Sequence, residues 1–262
     1  MKALILPLAL LAACSKQAEA PAANEAGPAV AAKPAAPAAK AFVFDEKNDL
    51  IEFHFAWSAE AAAIPKLVEQ FRKDMGQAKT ELIAGAREEK AMRDKEGDDF
   101  NPYMSSTDYK TAGQSGRLLS LQGDIGSYTG GAHGNYGTSE LLWDRWAAKA
   151  VPFADLFTAA ANMDRLLTQP WCDALNKARE EKRGEPVSGG GMFDECPPLS
   201  DVAIVPADKD GNGKFERLQL IADPYVAGPY AEGSYEVELP VTGDLIAALR
   251  SDYRENFEVQ PQ

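Results

Sequence analysis

Two stretches of this 262-residue chain carry residue types whose spacing could do chemistry. The first is DKDGNG, where Asp208, Asp210 and Asn212 alternate along the chain and Gly213 follows. Oxygen side chains at alternate positions, with a glycine at the sharp bend, open a calcium loop. Glu216 stands a little further on as an extra oxygen ligand. Calcium is therefore the one candidate cofactor, with Asp208, Asp210, Asn212 and Glu216 as its ligands. The pattern departs from an EF-hand in two ways. Its twelfth position is Gln219 in place of the bidentate glutamate, and its flanks read as strands, not helices. Asp, Asn and Gly are also the residues that a hairpin turn prefers.

The second stretch is YTGGAHGN, Tyr128 to Asn135, which sets one of only two histidines among glycines. A histidine beside Asp124, Asp144 or Asp155 could act as a general base at neutral pH. A nucleophile to pair with it is not evident, since no G-x-S-x-G motif is present and the cysteines have other uses. His54 and His133 stand 79 positions apart (133 minus 54), a separation without ligand spacing for zinc. Forty acidic residues make a pair of carboxylates somewhere inevitable, so such a pair carries no information about glycoside hydrolysis. No residue is assigned a catalytic role. The glycines also suit a tight strand connection needing positive φ or close backbone approach.

A net charge of −13 excludes a nucleic-acid partner, because phosphate backbones are held by lysine and arginine. It suits a cationic partner by electrostatic steering, and it also serves plain solubility.

The chain opens with MKALILPLALLAAC, a lysine followed by an apolar run too short to span a bilayer. Residues 1–13 read as a signal peptide, and Leu11 to Cys14 resemble the lipobox of bacterial lipoproteins, with Cys14 as the site of lipid attachment. Ser15 follows the cysteine in place of the Asp of inner-membrane retention, which points to an outer-membrane lipoprotein facing the periplasm of a Gram-negative-type envelope. Residues 14–41 are an Ala/Pro-rich tether with too little apolar surface to offset its ordering entropy. Cys172 and Cys196 remain, and in an exported chain an even pair most simply forms a disulfide. The alternative, a zinc site, lacks further ligands.

The elements that must position these residues follow from periodicity. Phe42 and Phe44, then Ile51, Phe53, Phe55 and Trp57, alternate as two strands around DEKND, with His54 on the opposite, solvent-facing side. Ile64, Leu67, Val68, Phe71 and Met75 recur at helical spacing after Ser58, and a separate helical stretch covers 80–93. Residues 95–116 read as a loop, and two strands flank the glycine cluster. Residues 163–182 form a long helix with Asp155 or Thr158 near its cap. Two further strands surround DKDGNG, GSYEVELPV is another, and TGDLIAALRSDYRENF is a final amphipathic helix. The fold class is α+β, with mainly antiparallel sheets packed against several amphipathic helices. The division expected is an N-terminal α+β part at 42–126 and a C-terminal module at 127–262.

YTGGAHGN, VPFADLF (151–157) and ADPYVAGPYAEGSYEVELP (222–240), in that order, resemble the domain of unknown function 3298. The residues before them resemble, more weakly, the domain of unknown function 4163. These modules are found in the lysozyme-sensing anti-sigma factor RsiV and beside a peptidoglycan deacetylase domain in PdaC. The resemblance implies an α+β ectodomain at the cell envelope that binds a partner. It does not carry signalling, because this chain shows no sigma-binding segment, and no contact residue of the family is carried over. The aromatic residues of the motifs, Tyr128, His133, Tyr225 and Tyr230, are the candidate binding residues. The expectation is a lipid-anchored, non-enzymatic periplasmic binding module for a cationic protein such as lysozyme or for peptidoglycan-like glycan. The alternatives are an envelope hydrolase acting on glycan or acyl groups and a structural assembly lipoprotein.

Overall fold

The computed structural model describes residues 39–260. The expected signal peptide, the expected lipid-attachment residue Cys14 and nearly all of the expected tether lie outside the described residues. The two aromatic stretches pair as β1 (Phe42–Lys47) and β2 (Ile51–Trp57). Ser58 caps a short helix, α1 (Ala59–Ala62), by accepting from the Ala61 N–H, and Pro65 begins α2 (Pro65–Glu96). The two helical stretches expected here are one 32-residue helix, because nothing between them breaks the backbone ladder. It closes at Gly97, whose φ of 81° makes a left-handed cap.

The expected loop at 95–116 needs correction. Tyr103–Gln114 is a twelve-residue strand, β3, lying parallel to β2 and antiparallel to β4 (Leu118–Tyr128). Its Ser, Thr, Asp and Lys residues hid it, since pairing on both edges supplies the order that its own side chains do not. Next come β5 (Asn135–Asp144) and the two-residue β6 (Lys149–Ala150), which complete a six-stranded sheet in sequence order. The expected division at 126/127 therefore falls inside β4, and the β4–β5 ladder runs continuously across it.

After β6, Ala160–Arg183 forms α3, and β7 (Ala203–Ala207), β8 (Arg217–Ala222) and β9 (Tyr235–Pro240) make a second, antiparallel sheet. Neither expected residue caps α3 by side chain: Ala159 is the cap residue, and Thr158 instead donates to the Ala248 carbonyl. The last helix is also shorter than expected. It covers only Gly243–Ala248, α4, because Leu249 turns extended and bridges Phe157. Cys172 and Cys196 are bonded, closing the loop after α3. In the chain-entropy account that closure contributes roughly 3 kcal/mol.

Strand alternation places the core on both faces of the six-stranded sheet. Leu119, Leu121 and Trp143 face α2, with Phe53, Phe55, Trp57 and Phe71, and the Phe71 ring stacks on Tyr109 at 4.6 Å. Leu118 and Leu142, one register step away, face a larger core made by α3, the second sheet and α4. One β4–β5 ribbon thus serves two hydrophobic layers. Among the described residues no helix is long and apolar enough to cross a membrane.

Candidate functional site

The β4–β5 hairpin ends in the glycine cluster, and its last paired residues are Ser127 and Asn135. Gly130 and Gly131 have φ of 92° and 98°, a conformation that residues with a Cβ resist. Tyr128 donates its hydroxyl to the Gly131 carbonyl across the turn. The turn thereby presents His133 and, on the first residues of β5, Tyr136.

A second loop, Asp223–Ser234, leads from β8 to β9 and lies beside this tip. The Asp223 carboxylate accepts from the Thr138 N–H at 2.9 Å, reaching β5 over a glycine. A Cβ at Gly137 would sit 2.6 Å from that carboxylate. Further along, the Tyr230 hydroxyl donates to the Gly134 carbonyl at 2.8 Å. The ring of Tyr230 stacks on His133 with centroids 4.1 Å apart and touches Tyr136 and Tyr225, both at 5.7 Å. Four aromatic rings, two from the β4–β5 hairpin and two from the Asp223–Ser234 loop, therefore share one patch of surface. His133 is exposed, as are Tyr136 and Tyr225 at 47% and 57%, while Tyr230 is half-buried.

Tyr225 is held at φ 72°, where a bulky L-residue is an outlier costing of order 1–2 kcal/mol. Its N–H donates to the Gly228 carbonyl in a tight turn. A strained backbone under an exposed aromatic side chain is the kind of local cost that persists at binding sites.

The loop is braced from behind by α3. Arg179, fully buried, donates to the Ala227 carbonyl at 2.9 and 3.0 Å and to the Asp194 and Glu195 carbonyls in the disulfide loop. Burial lowers the pKa of its guanidinium, which finds carbonyls in place of a carboxylate. One turn on, Arg183 bonds Glu232 and Asp194, and Lys182 donates to the Glu232 and Ser234 carbonyls. Burial opposes the charge of Glu232, but Arg183 and Tyr235 prevail and hold its pKa below the ordinary carboxylate value.

Of the residues expected from the sequence, His133, Tyr225 and Tyr230 are brought together. Tyr128 lies on the other side of the turn, lining a cleft of about 280 Å³ with Glu89, Arg93, Phe100 and Tyr103. None of Asp124, Asp144 and Asp155 bonds His133, whose Nδ1 lies 2.9 Å from the Gly134 carbonyl oxygen. Asp124 bonds Lys110, and Asp144 bonds Arg117. His54, expected to face solvent, is part-exposed and bonds Asp45 at 2.7 Å. Asp208, Asp210 and Glu216 gather in the β7–β8 turn, away from the aromatic rings. Sequence reasoning missed Tyr136, Asp223 and Arg179. Tyr136 lies two residues beyond Gly134 and was open to the same motif argument. Asp223 and Arg179 carry no local signal, since their partners lie 85 and 48 positions away. A cleft of about 560 Å³ lies at the opposite end of β5 beside Trp143, Arg145 and Pro65, and shares no residue with the patch.

Residues 44–136, from within β1 to the start of β5, match the family model described as Deacetylase PdaC. Over this segment the chain is similar to that family. This PdaC-like segment ends on Tyr136, so it includes the glycine turn and His133 but not the loop bearing Tyr225 and Tyr230. The chain is also similar to a solved DUF3298 family member from Bacteroides fragilis, at 16% identity and a TM-score of 0.49, over 83% of this chain and 95% of that one. A DUF3298 family protein from Pseudomonas aeruginosa is similar at 14% identity and a TM-score of 0.46, over 79% and 96% of the two chains. No curated protein matches.

Proposed function

We propose that the chain is a non-enzymatic binding module of the bacterial cell envelope, anchored by lipid on Cys14, whose aromatic patch docks peptidoglycan-like glycan. The observation that carries this reading is the grouping of His133, Tyr136, Tyr225 and Tyr230 on one surface, with Tyr225 kept exposed at a strained backbone position. Flat amphipathic rings offer apolar faces to sugar rings and polar tips to their hydroxyls. The matching family model is named for a deacetylase, and an acetylated amino sugar of an envelope glycan is a ligand class consistent with that name.

The acidic charge favours a second reading, in which the same patch binds a cationic protein such as lysozyme. Tyrosine-rich surfaces serve protein partners as well as glycans. A hydrolase centred on His133 is less well supported, because that ring is stacked on Tyr230 and its Nδ1 meets a backbone carbonyl, with no carboxylate or nucleophile among the described residues bonded to it.

Calorimetric titration of the full chain with an N-acetylglucosamine tetramer, and separately with lysozyme at low salt, tests both readings. Glycan binding that weakens about tenfold or more, equivalent to about 1.4 kcal/mol, in Tyr136→Ala and Tyr225→Ala supports the first. Heat with lysozyme alone, lost in the same variants and screened by salt, supports the second. Silence with both probes, or binding indifferent to both substitutions, overturns the patch as the docking surface.

A further inference from the structure

The β7–β8 turn plays no part in the aromatic patch. One carboxylate oxygen from each of Asp208, Asp210 and Glu216 lies within 4.8 Å of the others. Backbone donors organise the exposed part of the turn. Gly211 and Asn212 N–H groups reach Asp208 Oδ1, Gly213 N–H reaches Asp208 Oδ2, and Asn212 N–H reaches Asp210 Oδ1. These bonds alone would describe an ordinary aspartate-rich hairpin turn.

Glu216 is different. It is 3% exposed, its Oε1 accepts from the Lys209 N–H at 2.9 Å, and its Oε2 is buried with no partner among the described residues. A buried carboxylate oxygen without a donor, beside two further carboxylates, is costly unless a cation neutralises it. The lysines of the turn point elsewhere: Lys209 Nζ pairs with Glu238 at 2.8 Å, and Lys214 Nζ lies 3.9 Å from Glu258.

We propose that the β7–β8 turn binds calcium through the carboxylates of Asp208, Asp210 and Glu216. A cluster of oxygen donors alone, irregularly placed along a loop, fits calcium better than magnesium, which demands a near-octahedral shell, or transition metals, which favour nitrogen and sulfur. The arrangement is not an EF-hand, because Gln219 lies on β8 opposite Glu238 and strands flank the turn. Asn212 stays on the rim, its amide donating to Asp210 and its oxygen accepting from the Lys214 N–H. The ion would tie together three parts of the chain. Asp208 N–H reaches the Ala112 carbonyl on β3, Phe215 N–H reaches the Asn256 carbonyl, and Glu258 N–H reaches the Phe215 carbonyl.

The test is calcium titration of the chelator-treated full chain by calorimetry, alongside thermal melting in calcium, magnesium or chelator. The expected result is saturable calcium binding at roughly 10⁻⁴–10⁻³ M, the range of extracellular modules, with a rise in melting temperature that magnesium does not reproduce. Glu216→Gln should abolish the calcium response while melting no lower than the parent in chelator, since it removes an unpartnered charge. Asp210→Asn, an exposed change that leaves the fold intact, should weaken binding about tenfold or more. No calcium response up to about 10 mM, ten times the weak end of that range, overturns the proposal. So does an equal response to magnesium, or an Asp210→Asn variant that binds as the parent does.

Discussion

Tyr225 shows at the scale of one residue how strain and exposure coincide. Its left-handed backbone predicts an ordering that ring loss alone would not produce. Tyr225→Gly should be more stable than Tyr225→Ala by about 1 kcal/mol, because both lose the ring and only glycine sits freely at φ 72°. Chemical denaturation of the two variants checks this, and equal midpoints would count against strain at the position. Arg179 makes the opposite prediction. Replacing it by methionine leaves the Ala227, Asp194 and Glu195 carbonyls without their donor in a buried site. We expect a loss of about 3 kcal/mol or more in unfolding free energy. Arg179→Lys should recover little, because a single ammonium cannot reproduce the planar fork that serves carbonyls in two loops.

The elements that matter most are the β4–β5 hairpin and the disulfide loop. Gly131→Val would force a β-branched residue to φ 98° at the hairpin tip. The expected outcome is a displaced turn, with loss of the His133 and Tyr230 stacking and of ligand binding, while the core of β4 and β5 persists. Tyrosine and histidine ring resonances in NMR spectra would report it. The disulfide closes the loop whose Asp194 and Glu195 carbonyls Arg179 holds. Paired Cys172→Ser and Cys196→Ser changes should lower stability by roughly 3 kcal/mol and loosen the second aromatic loop with it.

Across the whole molecule, one buried network joins the six-stranded sheet to the C-terminal segment. Asp144, fully buried at the end of β5, accepts from Arg117 at 2.7 and 2.9 Å, from the Tyr253 hydroxyl at 3.0 Å, and from the Trp146 and Ala147 N–H groups. Burial by itself would raise its pKa. The Arg117 guanidinium and the other donors outweigh that and hold the carboxyl down at about 2, from an ordinary 3.8. A depressed carboxylate stabilises the fold fully above the unfolded value near pH 4, and that contribution is lost as pH falls toward 2. By linkage it amounts to about 2 kcal/mol. Asp144→Asn should therefore be markedly less stable than the parent at pH 7, with a gap that narrows between about pH 4 and pH 2. Urea unfolding across that range measures it, and a gap independent of pH would refute the role given to Asp144.

The sequence alone was enough for the α+β class, the strands around DKDGNG, the Cys172–Cys196 bond and the PdaC-like resemblance. All of these rest on local periodicity, turn chemistry, residue counting or motif order. It misplaced β3 because that strand is polar and is ordered by its neighbours on either side, and it divided the chain inside β4 because one ribbon serves two cores. The candidate binding residues were legible as motif aromatics. Their meeting was not, since Tyr230 reaches Gly134 across 96 positions of chain. Nor could the sequence show that Glu216 is buried with an oxygen unpaired, or that Tyr225 is strained. Long-range contacts, burial and backbone angle are properties of the packed chain, and only the tertiary structure decides them.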